Sequence, residues 1–352
     1  MRILHVIQEL RTGGAERVVA SLVRGSAERG HEVAVAAAPG AVADELGLSP
    51  FPLPVLERRP WRVPLGAWRV FRAIRTFRPD IVHAQNPAMA LLVALATGRG
   101  HRPPALVTVQ GVPEADYGPT SRLLRAAGLP VVACGPGVES GLTDAGLPSV
   151  ELIANAVPPA PEPRQRGELD RELGLLTGAK LVVAVGRLVP VKNHALAIEA
   201  IASVPGATLV IIGEGALRDE LAQQAASLGI ADRVVLTGLR ADARAIMGAA
   251  DAVVVPSVGE GLPLVALEAL AAHTPVVATA VRGIRELLTH ERDSLLVPAG
   301  DAAALAAALR RVLEDDVLAA RLAQAGAELV APYTETRMIE SYLDLYEQLV
   351  VR

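Results

Sequence analysis

The chain predicts an α/β protein of two doubly wound, Rossmann-like parallel-sheet domains, and three observations carry that reading. Its 352 residues exceed what one hydrophobic core usually spans, since chains beyond about 250–300 residues tend to split. Short β-branched runs alternate with Ala-, Leu- and Arg-rich segments of helical period, the pattern of repeated βαβ units. A single proline cluster, Pro158 to Pro163, interrupts the alternation and suits neither a helix nor an inner strand. The expected division is therefore a first domain at 1–158, a second at 159–332 and a terminal segment at 333–352. With two such domains, a cleft between them is the default ligand site.

Taken in order, the first set of strands is expected at Ile3 to Ile7, Glu32 to Ala38, Ile81 to Gln85, Leu106 to Gln110, Val131 to Cys134 and Glu151 to Ala154. The second set is expected at Leu181 to Val185, Thr208 to Ile212, Val234 to Thr237, Ala252 to Pro256, Pro275 to Ala278 and Ser294 to Val297. These runs are almost continuously apolar, as strands covered on both faces must be. A helix follows over Ala302 to Leu313. In the terminal segment Met338, Tyr342, Leu345, Tyr346 and Leu349 recur at helical spacing, so that helix has a core face to dock.

Composition narrows the function. A formal charge of −4 and a pI near 6.0 lack the basic surplus of a nucleic-acid binder, so small-molecule chemistry is expected and no nucleic-acid partner. Cys134 is the sole cysteine, which rules out an intrachain disulfide, and Met1 to His5 carries no cleavable signal pattern, so the chain reads as cytoplasmic. The longest apolar stretch, around Ala88 to Thr97, is about half of the ~20 residues needed to cross a bilayer. Only Lys180 and Lys192 are lysines among 34 basic residues, a bias toward arginine against which a lysine at 192 suggests a compact ammonium for phosphate.

Ligands of open α/β sheets bind beyond the carboxyl ends of strands, and four turns there stand out. Leu10 to Arg17 contains Gly13 and Gly14 before a helix, which suits either an anion or simply a tight turn. Gly186, Arg187, Lys192 and Asn193 put two cations on one loop, in a phosphate site or in a solvated turn. Gly213, Glu214 and Gly215 follow a strand but lack the spacing of a dinucleotide fingerprint. The fourth is the segment from Ser257 to Glu268, with Glu260, Gly261, Leu262, Pro263, Leu264 and Val265 at a strand-to-helix turn and Glu268 eight positions after Glu260. An acid at such a turn can bind sugar hydroxyls, free amides at the helix start can face a phosphate, and an acid two turns later can hold a ribose. Two isolated glutamates would more simply mean a helix cap and a solvated face.

Gly186 and Arg187 with Lys192, followed by Glu260, Gly261, Leu262, Pro263 and Glu268, resemble the donor site of retaining GT-B glycosyltransferases of family 4 (glycosyl transferases group 1). Gly13 and Gly14, the string Pro79 to His83, and Ile153 to Asn155 are similar to the same family's layout, so the resemblance covers nearly the whole chain. It implies two Rossmann-like domains facing across a cleft, with the terminal helix crossing back to the first. It also implies a nucleotide-diphosphate sugar, most readily a UDP-sugar, held by the second domain, and an acceptor, a small molecule or a lipid, held by the first. The activity implied is that of a retaining, metal-independent hexosyltransferase without a cofactor. Arg187 and Lys192 would stabilise the leaving diphosphate, Glu260 would contact the donor sugar, and Glu268 would hold the ribose. Gly13, Gly14, Gly186, Gly213, Gly238, Leu239 and the residues from Gly261 to Val265 would line the donor, with Asn86 and Gln110 on the acceptor or sugar side. The cations and helix-start amides act where negative charge gathers in the transition state. The histidines are scattered, and no metal-ligand cluster is expected.

Two departures stand out. Where the family often has a histidine, this chain has Gln110, which can hydrogen-bond but not titrate. Asn155, Ala156, Val157 and Pro158 replace a more usual Asn-Gly-Val-Asp. Other readings are a nucleotide-sugar 2-epimerase of the same fold and a non-catalytic nucleotide-sugar binder; a dehydrogenase lacks its glycine fingerprint. Separately, 58–78 interleaves Trp61, Trp68 and Phe71 with arginines, as an interfacial helix would at the inner membrane surface. The same stretch is also compatible with a helix that buries its apolar stripe in the core and leaves its arginines in water.

Overall fold

The computed structural model describes the chain except residues 11–13, 39, 46, 48, 57–59, 99–101, 177 and 352, and except the side chains of 15, 41 and 60. It divides into two compact units, Met1–Ala156 with Tyr333–Arg352, and Val157–Pro332.

The first unit holds a seven-stranded sheet, β1 (Arg2–Glu9), β2 (Glu32–Ala38), β3 (Phe51–Pro52), β4 (Ile81–Ala84), β5 (Ala105–Val109), β6 (Val131–Ala133) and β7 (Glu151–Leu152), in the order β3-β2-β1-β4-β5-β6-β7. The second holds six strands, β8 (Lys180–Val185), β9 (Ala207–Ile212), β10 (Val234–Gly238), β11 (Ala252–Val255), β12 (Val276–Thr279) and β13 (Leu295–Val297), in the order β10-β9-β8-β11-β12-β13. Every ladder is parallel. The fold is therefore the two-Rossmann arrangement expected. Each order reverses at its first strand, so each sheet has one switch point, between β1 and β4 and between β8 and β11. There the connections leave in opposite directions and open a crevice at the carboxyl ends of the strands.

The strands form where the sequence is apolar on both faces. β9, for example, is buried along its whole length, under helices whose Leu196, Ile198, Ile201, Leu305 and Leu309 join the same core. The terminal helix Glu335–Val351 buries Met338, Ile339, Tyr342, Leu343, Leu345 and Tyr346 against Ile3, Val18, Leu22, Ile81, Leu106 and Ile153. Although it comes last in sequence, it completes the core of the first unit.

Two elements differ from expectation. The edge strand Phe51–Pro52 is too short to show a period, and its proline is tolerated because an edge needs no second set of ladder donors. A helix not predicted spans Asp316–Val330; its start is capped by Asp315, whose carboxylate accepts from the Leu318 amide at 2.9 Å. It persists because Leu270 of the neighbouring helix fills the space over Gly326, a contact invisible to local pattern.

Candidate active site

The switch point of the second sheet carries Gly186, Arg187, Lys192 and Glu260 among the residues singled out by sequence. β8 ends at Val185, and the chain crosses directly over the exit of β9. A Cβ built on Gly213 would lie 1.9 Å from the Gly186 carbonyl oxygen, so only glycine allows this approach. The two exits are stitched together by Gly186 N to Ile212 O at 3.0 Å and Leu188 N to Glu214 O at 2.8 Å. A short 3-10 turn, Pro190–Lys192, then brings the lysine back toward β11, and Asn193, left-handed at φ 48°, starts the helix His194–Ala202.

From the other side of the switch point, β11 runs into Pro256 and Ser257. The Val258 amide donates to the Val191 carbonyl at 2.9 Å, which fixes the β11 exit against the lysine turn. Lys192 Nζ then meets Glu260 Oε1 at 2.7 Å, and Ser257 Oγ donates to the same oxygen at 2.6 Å. Thr279, at the end of β12, donates its hydroxyl to the Ser257 carbonyl. The Glu260 side chain is 9% exposed and that of Lys192 24%, so the pair is mostly withdrawn from water. A charge so placed needs its partner, because removing one leaves the other desolvated and unpaired. Glu260 makes no cap to the following helix; its carboxylate turns toward Lys192 instead. Behind it, a Cβ on Gly283 would come within 2.4 Å of the Glu260 carbonyl, so the helix Arg282–Arg285 abuts the turn at backbone distance.

These groups border a cavity of about 130 Å³ lined by Val185, Lys192, His194, Val254, Val255, Pro256, Ser257, Glu260, Leu262, Pro263, Leu264 and Val265. Its far wall is the start of the helix Leu264–Ala271, whose dipole favours an anion. Burial, with the Lys192 ammonium acting in the same sense, pushes His194 down to about 4, so the ring is neutral at pH 7. Its two nitrogens are buried without a well-formed hydrogen bond.

The remaining candidates distribute around this centre. Gly261 continues the Glu260 turn. Glu268 lies in the second turn of the helix, half-buried and outside the cavity lining. Arg187 is exposed and makes no side-chain hydrogen bond or ion pair with another described residue. Gly238 sits at φ 78° and accepts from the Gly213 amide at 2.9 Å, while Leu239 beside it is 72% exposed. The next residue, Arg240, is held by Asp242 through two bonds of 2.8 Å and by Glu172. Arg164 bridges the same two acids, and the guanidinium groups, Arg240 first, depress Asp242 to about 2.

Gly14, Asn86 and Gln110 belong to the first unit. Gly13 lies outside the described residues; Gly14 opens the helix Gly14–Glu28 after β1. Asn86, following β4, caps the helix Pro87–Thr97 by accepting from the Met89 amide at 2.9 Å. Gln110, following β5, accepts from Asn155 Nδ2 at 2.8 Å and leaves its own Nε2 buried without a partner. Sequence reasoning gave Ser257, Thr279 and His194 no role. Ser257 and His194 adjoin the motif residues in sequence, whereas Thr279 enters only because β12 neighbours β11.

Residues 12–161 match the family model described as Glycosyltransferase Family 4, and residues 165–329 match the one described as Glycosyl transferases group 1. The lipopolysaccharide core biosynthesis glycosyltransferase LpsD of Rhizobium meliloti (strain 1021) is 32% identical over 373 residues, covering 100% of both chains. This chain belongs to the family 4, group 1 glycosyltransferases. LpsE of the same organism, also described as a lipopolysaccharide core biosynthesis glycosyltransferase, is 31% identical over 346 residues, covering 95% of this glycosyltransferase and 96% of LpsE. Among solved structures, Anabaena Alr3699/HepE in complex with UDP superimposes with a TM-score of 0.86 at 23% identity, over 99% and 100% of the two chains. WaaG, a glycosyltransferase involved in lipopolysaccharide biosynthesis, gives 0.78 at 19% identity over 98% and 99%. Both share the GT-B fold with this glycosyltransferase.

Proposed function

We propose that this glycosyltransferase moves a sugar from a UDP-sugar to an acceptor hydroxyl with retention at the anomeric carbon and without a metal ion. The observation that carries the reading is the cavity at the β8–β11 switch point, where Lys192, Glu260 and a helix start converge. The solved complexes of HepE with UDP and with UDP-glucose support the choice of nucleotide. In this reading the bond from the anomeric carbon to the diphosphate oxygen breaks, its electron pair stays on the diphosphate, and the acceptor oxygen bonds to that carbon. The acceptor proton passes to the leaving phosphate on the same face. Lys192 and Arg187 meet the charge that gathers there, and the amides at the start of Leu264–Ala271 add to it. Glu260 accepts from donor-sugar hydroxyls, and Glu268 accepts from the ribose. The acceptor, a small molecule or a lipid, belongs to the first unit beside Asn86 and Gln110.

Thermal shift with UDP-, GDP- and ADP-sugars on wild type and Lys192→Ala tests the donor assignment, because a ligand that binds only the folded state raises its melting temperature. The expected result is a shift with UDP-sugars that shrinks in the variant, with turnover reduced about 10²–10³-fold, as for removal of one preorganised donor to a developing anion. Wild-type turnover in Lys192→Ala would remove the leaving-group role. Glu268→Ala is expected to raise the donor KM with kcat kept at saturation. Proton NMR of donor alone distinguishes transfer, which leaves it intact, from epimerisation, which does not.

A further inference from the structure

Helix Val63–Phe77 buries Phe77 but leaves Trp68 and Phe71 exposed. Gly66, Val70, Ala73 and Phe77 form its buried stripe, and at about 100° per residue the opposite side carries Leu65, Trp68, Phe71, Arg72 and Arg75. Trp61, in the turn just before the helix, is 71% exposed, Trp68 49%, Leu65 46% and Phe71 45%. Trp61 and Trp68 are the only tryptophans of the chain, and both stand exposed to water, one in the turn before the helix and one on it. The helix does bury an apolar stripe in the core, and the tryptophans are not part of it. Along the sequence, residues 58–78 contain seven arginines and no acid, between Glu57 and Asp80, in a chain of net charge −4. Arg62 and Arg69 are spent on the carbonyls of Val55 and Pro52. Arg72 lies over the Trp68 ring at 5.1 Å, and Arg72, Arg75 and Arg78 make no ion pair with another described residue.

We propose that this face docks on an anionic lipid surface, with Trp61, Leu65, Trp68 and Phe71 entering the headgroup layer and Arg72, Arg75 and Arg78 meeting lipid phosphates. Amphipathic rings with one wet edge favour that depth, and a cluster of arginines in no ion pair with a described residue complements a negative surface and no neutral one. Among the described residues no helix is long and apolar enough to cross a membrane, so the contact is one of lying on the surface.

Because both tryptophans lie in the patch, the full chain reports on itself. Mixed with vesicles of phosphatidylcholine and phosphatidylglycerol, it is expected to sediment and to shift its tryptophan emission to the blue; with phosphatidylcholine alone it is expected to do neither. Each arginine near such a surface contributes about a fivefold change in partition, so Arg72→Ala with Arg75→Ala is expected to weaken binding about 25-fold. Raising the salt is expected to release the wild-type chain, a readout that needs no variant to fold. Equal recovery in the supernatant with and without anionic vesicles, or equal binding to neutral ones, would overturn the proposal. So would self-association without vesicle binding that Trp68→Ala abolishes, which would assign the face to a second copy.

Discussion

Lys192 and Glu260 were read from sequence as binders of two different parts of a ligand, and the structure joins them at 2.7 Å. The pairing holds the ammonium in place, so that in the proposed reaction little reorganisation would be left for the arrival of a diphosphate. Ser257 is the side chain that makes this arrangement directional, since its hydroxyl and Lys192 both bond Glu260 Oε1. Replacing it by alanine deletes a hydrogen bond to a charged acceptor, the kind that contributes about 1.5–3 kcal/mol. Ser257→Ala is expected to lower kcat/KM at least tenfold while Ser257→Thr, which keeps the hydroxyl, retains most of it. Steady-state kinetics of the two variants checks this, and equal loss in both would show that packing, and not the hydrogen bond, is what matters.

At the scale of elements, the cation loop depends on how closely β8 and β9 leave the sheet. The Gly213 position allows no side chain, because the atom it would meet is the Gly186 backbone oxygen, which cannot rotate away. Gly213→Ala is expected to push the loop bearing Arg187 and Lys192 outward, costing about 1–3 kcal/mol as overpacking and removing the donor-induced thermal shift. Gly206 is the control: it has φ 73° but nothing within 4 Å of its Cβ, so Gly206→Ala should cost about 1 kcal/mol of backbone strain and leave the donor response unchanged. Melting both variants with and without UDP-sugar decides between a site effect and simple destabilisation.

For the molecule as a whole, buried neutral histidines set the acid limit. His5 in the first unit and His194 in the second are both pushed down to about 4 by burial, and His83 is lowered by burial and then by His5. The unfolded chain protonates these rings near 6.5 while the native one does not, so stability present at pH 7 is lost as pH falls toward 4. For His5 and His194 a shift from 6.5 to about 4 corresponds to about 2 kcal/mol lost by pH 5 for each of the two rings. Melting temperature is expected to drop between pH 7 and 5, and His194→Asn should flatten that drop for the second unit only. His83 has a further structural role. Its ring bonds Tyr346 at 2.6 Å and Thr108 at 2.8 Å, and Thr108 bonds Tyr342 at 2.8 Å, which fastens the terminal helix to β4 and β5.

Local pattern was enough for the βαβ alternation, for nearly every strand, and for the turns that bear Gly186, Lys192 and Glu260, because buried parallel strands must be apolar throughout and the turns at their ends here are glycine-rich. It was also enough to show that Gln110 cannot titrate. What it could not supply was anything set by residues distant in sequence: that Lys192 and Glu260 form a pair, that Thr279 supports Ser257 from the next strand, that Asn86 is occupied as a helix cap, and that Gln110 is held by Asn155. Nor could it orient the helix Val63–Phe77, whose aromatic and small residues fit either face until Gly66, Val70, Ala73 and Phe77 took the core. The sequence by itself determined nearly all of the strands and the turns that follow them, since those depend on neighbours along the chain. Only the tertiary structure decided which polar groups find partners and which apolar ones stay in water, because both depend on what the fold brings alongside.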